Sequence, residues 1–283
     1  MTLTLGIVVK GKIEGIKELS KQEYDEYSKV REPLMLFSRD QRLFEVVRLN
    51  YDDLQKTLKK HQEEYIQNPS MDFLRMEFIY LDLNRLILNF LSTARAFVDQ
   101  SRHNISTRCG KDSQRYKNFE KACSTAYDGC FSYRFLDKLR NYVQHCGMPL
   151  GRLSLRSWEI DPTSRKIGYE LQVMFIRDEL LTAKFDWTSR LKKELEEQPT
   201  EFEVMYHIGK MMKCIKNINI AAINEEIPEL KSCADYIARF ISPLKGMLGT
   251  PCILDLTDLR DVGGNVNIEW IPIHLVKLFT KLT

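Results

Sequence analysis

The chain has 283 residues, of which 43% are hydrophobic and 29% charged, and a net charge of +3 at pH 7. This is ordinary usage for a folded globular protein and unlike a low-complexity chain. So small a net charge does not mark a general nucleic-acid coat, and any polyanion site has to come from local placement of Lys and Arg.

The opening run MTLTLGIVVKGKIEG has no basic residue ahead of its apolar stretch and no small-residue cleavage site, so no signal peptide is expected. Thr2 to Ile13 is rich in β-branched residues and predicts a strand, punctuated by Gly11 and Gly15, that pairs with a later segment. From Lys17 helical spacing takes over. A helix is expected near 18–30, then a break at Pro33, then a long helix from about Asp40 to Ile66 carrying the stripe Leu43, Phe44, Val47, Tyr51, Leu54, Leu58 and Tyr65. Asn68 and Pro69 end it, and Ser70 is the expected cap of the next helix.

From Met71 no Gly or Pro occurs before Gly110, which predicts a helix of about 35 residues, about 50 Å long. A polar connection then turns the chain. A second helical run from about Gln114 to Cys146, interrupted somewhere in Cys123 to Gly129, is expected to return along the first as a long antiparallel hairpin. Beyond Leu150, two β-leaning runs around DPTSRK predict a β-hairpin. Helices follow, with Asp186 as a cap before WTSRLKKELEEQ, then about Glu201 to Ile223 and Glu229 to Ile241. The tail suggests two short strands about Gly263 and Gly264 and a terminal amphipathic turn, HLVKLF.

The expected fold class is therefore mainly α: a long antiparallel helix hairpin or bundle with an N-terminal strand and small β-hairpin additions. The expected division is a helical domain over 1–150 and a β-hairpin plus helical region over 151–283, packed on the first. Seven cysteines without a CxxC or CxxH pair argue against a disulfide framework and a structural zinc site. No window approaches about 20 consecutive apolar residues, so no membrane association is expected and the cytoplasm is the expected location.

Enzyme signatures such as a Gly-rich phosphate loop, HExxH or GxSxG are absent. One segment remains whose residue types suit a reaction, FSYRFLDKLRNYVQHCGMPL. Its apolar residues Phe131, Phe135, Leu136, Leu139, Tyr142 and Val143 fall on one helical stripe, and Gly147 and Pro149 end the helix. Arg140 and His145 lie just outside opposite edges of that stripe and bracket a polar arc holding Asn141, Gln144 and Asp137.

This pattern resembles the HEPN superfamily of helical proteins, whose ribonuclease members carry Arg, a polar residue, a few further positions and then His on the last helix of a helix hairpin. Arg140, Asn141 and His145 match it residue by residue, and the resemblance covers about residues 70–150. It implies a metal-independent endoribonuclease without a cofactor, in a defence or toxin-like setting, assembled as a homodimer whose two motifs face each other across a two-fold axis. An imidazole that titrates near neutrality suits proton transfer to and from the 2′- and 5′-oxygens of RNA, so His145 is the acid/base candidate. The planar guanidinium of Arg140 suits the charge of a pentavalent phosphorus, and the Asn141 amide suits holding the imidazole or a phosphate oxygen.

A hairpin centred near Cys109 puts position 140 opposite 78 and 145 opposite 73, which makes Arg75, Glu77 and Tyr80 candidate neighbours. The basic residues Arg102, Arg108, Lys111 and Arg115 at the other end could track an RNA backbone; a solvated tip is the plainer meaning of such a run. Two rival readings stand beside catalysis. In one, Arg140 pairs with a carboxylate on a neighbouring helix, His145 caps its helix, and the protein is a non-catalytic module binding RNA, a nucleotide or a protein partner. In the other, a metal-dependent hydrolase, His61, His103, His207 and His274 would supply ligands, but they are scattered among unrelated segments.

Overall fold

The computed structural model describes residues 3–68, 72–161, 163, 166–256 and 266–280. The chain is mainly helical, with two small antiparallel sheets. By contacts it forms two compact units, Met1–Gln41 with Asn224–Thr283, and Arg42–Ile223, so the units do not divide at residue 150.

In the first unit the predicted N-terminal strand is a hairpin, β1 (Leu3–Val9) and β2 (Lys12–Leu19), turning at Lys10 and Gly11, both with positive φ. The later partner of β1 is β6 (Thr250–Asp255), which in turn pairs with β7 (Asn267–Trp270), giving the order β2-β1-β6-β7. Gly6 is required where β1 shifts register, because a Cβ there would collide with the Glu14 carbonyl across the ladder. The glycines expected between the last two strands, Gly263 and Gly264, lie outside the described residues.

Helix α1 (Lys21–Gln67) runs through Pro33, where a break was expected. Proline removes one backbone donor and crowds the preceding turn. Here fully buried Leu34 and buried Phe37 directly after it hold the helix down, so packing outweighs the local penalty. Within the first unit, Tyr27 stacks on Phe240 at 4.9 Å, Phe37 meets the Phe279 ring edge-on at 5.2 Å, and Glu269 accepts from Tyr24 and pairs with Arg31. Helices α8 (Ile227–Phe240) and α9 (Ile273–Phe279) complete this unit, close to their expected spans.

The second unit holds α2 (Phe73–Cys109), α3 (Gln114–Gly129) and α4 (Phe131–His145). Ser70 lies outside the described residues; the cap of α2 is Asp72, whose carboxylate accepts from the Arg75 amide at 2.8 Å. The interruption of the second helical run falls at Cys130, which ends α3 and begins α4. Strands β3 (Arg152–Asp161) and β4 (Lys166–Ile176) form the expected hairpin, and an unexpected third strand, β5 (Glu201–Glu203), extends it. Short α5 (Arg177–Thr182) and α6 (Ser189–Glu196) follow the hairpin; Thr188, not Asp186, caps α6 by accepting from the Leu191 amide. Helix α7 (Val204–Ile223) buries Ile208, Met211, Met212 and Ile215.

The centre of this unit is aromatic. Phe135 of α4 is fully buried and lies 5.2 Å from Phe175, 5.6 Å from Phe202 and 5.9 Å from Trp187, while Tyr142 stacks on Trp187 at 5.6 Å. The Trp187 indole donates to the Leu180 carbonyl, so its one polar atom is satisfied inside the core. Truncating a ring so enclosed leaves a cavity that its neighbours cannot close. Phe135→Ala is therefore expected to lower unfolding stability by about 3–5 kcal/mol in urea titration, and a loss below 1 kcal/mol would show that this cluster does not anchor α4.

Candidate functional site

Helix α4 carries the motif, and its two sides have opposite duties. Tyr133, Phe135, Leu136, Leu139 and Tyr142 are buried, as the stripe predicts. Arg140 and Asn141 are half-buried beside that stripe, and His145, the last residue of the helix, is exposed. At the helix end the Cys146 amide donates to the Tyr142 carbonyl, and His145 is the basic residue of the last turn.

Arg140 donates through Nη1 to Asn141 Oδ1 at 3.3 Å. Its Nε is buried and has no hydrogen-bond partner, and the guanidinium makes no ion pair among the described residues. The buried ion pair anticipated as the plain explanation of Arg140 is made instead by Arg134, two turns earlier. Arg134 is only 4% exposed, forks onto Glu194 of α6 with Nε at 3.1 Å and Nη2 at 2.5 Å, and also donates to the Tyr127 carbonyl. Asp137, on the polar arc, is taken by Arg95 of α2 at 3.1 Å.

Contacts along α2 correct the expected register. Arg102 pairs with Glu120 at 2.6 Å, as a turn near 110 demands, but Arg95 meets Asp137, and Asn84 accepts from the Leu150 amide at 3.3 Å. Beyond the break at Cys130, α4 meets α2 farther from the start of α2 than the expected register puts it. Arg75 accordingly serves the start of α2, donating to the Asn68 carbonyl; Glu77 is exposed; and Tyr80 donates to the Leu150 carbonyl, beyond the end of α4.

The basic tip is divided too. Arg108 and Lys111 are exposed, whereas Arg102 is held by Glu120 and Asp99 over the Phe119 ring. Arg115 is buried and donates through Nε to the Ala222 carbonyl at 2.9 Å. Its duty is to tie α3 to the end of α7, which corrects its assignment to an RNA track. The sequence does not announce that α7 ends against it.

Two of the scattered histidines, His61 and His207, are buried. His61 is enclosed, with Nε2 at 3.2 Å from Asp82 and Phe78 edge-on at 6.0 Å. His207 Nδ1 lies 2.8 Å from Ser132 Oγ inside a cage of Phe131, Phe135, Phe202 and Tyr206. The partners are 75 positions apart in sequence, so no local pattern could reveal them. Among the described residues, no group of three or more His, Cys, Asp or Glu side chains is placed to hold a metal ion, and no helix is long and apolar enough to cross a membrane. Comparison of the chain with protein-family models, curated proteins and solved structures found no match.

Burial pushes His207 down to about 4 from its ordinary 6.5. The folded state therefore keeps this imidazole neutral where the unfolded chain already binds a proton. Stability from this group is full above pH 6.5 and falls as pH drops from 6.5 towards 4, by about 3 kcal/mol in total. Urea midpoints at pH 7.5, 6.0 and 5.0 should decline accordingly, and His207→Gln should flatten the decline; an equal slope in both proteins would mean that His207 ionises freely.

Proposed function

We propose that the chain is a metal-independent endoribonuclease of HEPN type, with Arg140, Asn141 and His145 as its catalytic residues and α2 against α3 and α4 as the long antiparallel hairpin that presents them. The reading has the protein acting as a cytoplasmic homodimer in a defence or toxin-like setting, with two copies of α4 completing one groove. The observation that carries it is the guanidinium of Arg140, half-buried on α4, steadied by Asn141 and left with an unpartnered Nε and no carboxylate. On the same helix Arg134 and Asp137 are both consumed by ion pairs. A cation so spared suits an anion brought from outside, and a phosphoryl group matches its fork of donors.

The chemistry needs nothing beyond these side chains and RNA. One His145 imidazole takes the proton of the 2′-hydroxyl as its oxygen attacks phosphorus, and the His145 of the second copy protonates the departing 5′-oxygen. Arg140 binds the non-bridging oxygens as their negative charge grows, and the Asn141 amide, whose oxygen accepts from Arg140, steadies the guanidinium. Products then end in a 2′,3′-cyclic phosphate and a 5′-hydroxyl.

The second reading, a non-catalytic module that binds a protein, is favoured by the first turns of α2. There Phe73 and Leu74 are 79% and 77% exposed, with Phe78 and Leu81 also exposed. Incubation with a mixed RNA pool separates the two. The ribonuclease reading expects cleavage insensitive to EDTA, cyclic-phosphate ends, and no cutting of an RNA with 2′-deoxy at the scissile position. Arg140→Ala and His145→Ala should each lower the rate by about 10²–10⁴-fold while melting within a few degrees of the parent. A wild-type protein inert on every RNA leaves the binding module standing.

A further inference from the structure

Cys130 occupies the break between α3 and α4, where it is at once the last cap of one helix and the first of the next. Its thiol makes no capping hydrogen bond to α4. Cys214, on α7, has Cys130 as a neighbour, and both line one cavity of about 470 Å³, lined also by Asn118, Lys121, Thr125 and Asn217. Both cysteines are half-buried and reduced. The others are placed differently: Cys109 and Cys146 are exposed, while Cys123, Cys233 and Cys252 are buried.

Two neighbouring thiols, reached through a cavity of several water volumes, are arranged for reaction with each other more than for packing. We propose that Cys130 and Cys214 form a redox-modification site, a dithiol that a hydroperoxide converts into an intramolecular disulfide joining the α3–α4 break to α7. Cys130, at the start of α4, is assigned as the attacking sulfur. Burial and the neighbouring Cys130 push the Cys214 thiol up to about 12, so Cys214 is assigned the second, resolving role.

The Cys130 sulfur attacks one peroxide oxygen and the O–O bond breaks; the second oxygen keeps its own hydrogen, takes the proton given up by the Cys130 thiol and leaves as water (for hydrogen peroxide), giving a sulfenic acid. Cys214 then attacks that sulfur, the S–O bond breaks, and a second water leaves as the S–S bond forms. Each sulfur gives up one electron, and the peroxide takes both. The inference is independent of the ribonuclease reading, since it concerns only these two helix positions.

The test treats the reduced full-length protein with hydrogen peroxide, alkylates remaining thiols, digests without reductant and examines the peptides by mass spectrometry. A peptide linked through Cys130 and Cys214 is expected, reversed by dithiothreitol. Because the bond closes a loop of more than 80 residues, the oxidised protein should melt about 5–10 °C higher. Cys130→Ser and Cys214→Ser should each lose the linked peptide and the shift. Recovery of both wild-type cysteines alkylated, or separately oxidised to sulfinic acid, while exposed Cys109 and Cys146 react, would overturn the proposal without recourse to any variant.

Discussion

The packing of Phe135 against Phe175, Phe202 and Trp187 is the contact on which the candidate site depends. It draws residues from α4, from both later strands of the small sheet and from the segment before α6 into one dry cluster. Leu136 and Leu139 extend the same face and are fully buried. A helix pinned along one side by several large side chains has no freedom to roll about its axis. Arg140 and Asn141 are thereby held at the edge of the core, and His145 is left at the exposed helix end.

Two arginines on α4 show how different the same side chain can be six residues apart. Arg134 is desolvated, and its Glu194 partner and the Tyr127 carbonyl occupy its donors; removing either member would strand a charge in the interior. Arg140 is less enclosed and keeps a donor unmet. An unmet buried donor costs about 1–3 kcal/mol. The first arginine has its charge matched within the fold, and the second has no carboxylate partner among the described residues.

Much of this was legible in the sequence where the signal is local and long. The apolar stripe of α2 runs without Gly or Pro through 37 residues, and no other element type fits such a run. The β3–β4 hairpin announced itself by its turn residues. Features set by distant partners were not legible: the pairing of β1 with β6 joins residues some 250 positions apart, and β5 is three residues long and exists only because β4 offers it an edge. Pro33 misled because its cost is local while Leu34 and Phe37 are held by tertiary contacts. In the site, the helical wheel placed Arg140 and Asn141 beside the core stripe, but it could not say which arginine had a carboxylate. Nor could it show that the break at Cys130 would carry α4 away from Arg75 and Glu77, or that Arg115 would be buried against the Ala222 carbonyl.

The central claim is that the Arg140 guanidinium is held for a phosphoryl group. The most direct measurement is the Nε–H resonance of each arginine in a nitrogen-15-labelled protein, followed as an uncleavable 2′-O-methyl oligoribonucleotide is added. The account predicts that the Arg140 signal, identified by its absence from Arg140→Lys, shifts at saturation, while the signals of ion-paired Arg95 and Arg134 stay in place. An Arg140 signal that does not move while RNA binds elsewhere would contradict it.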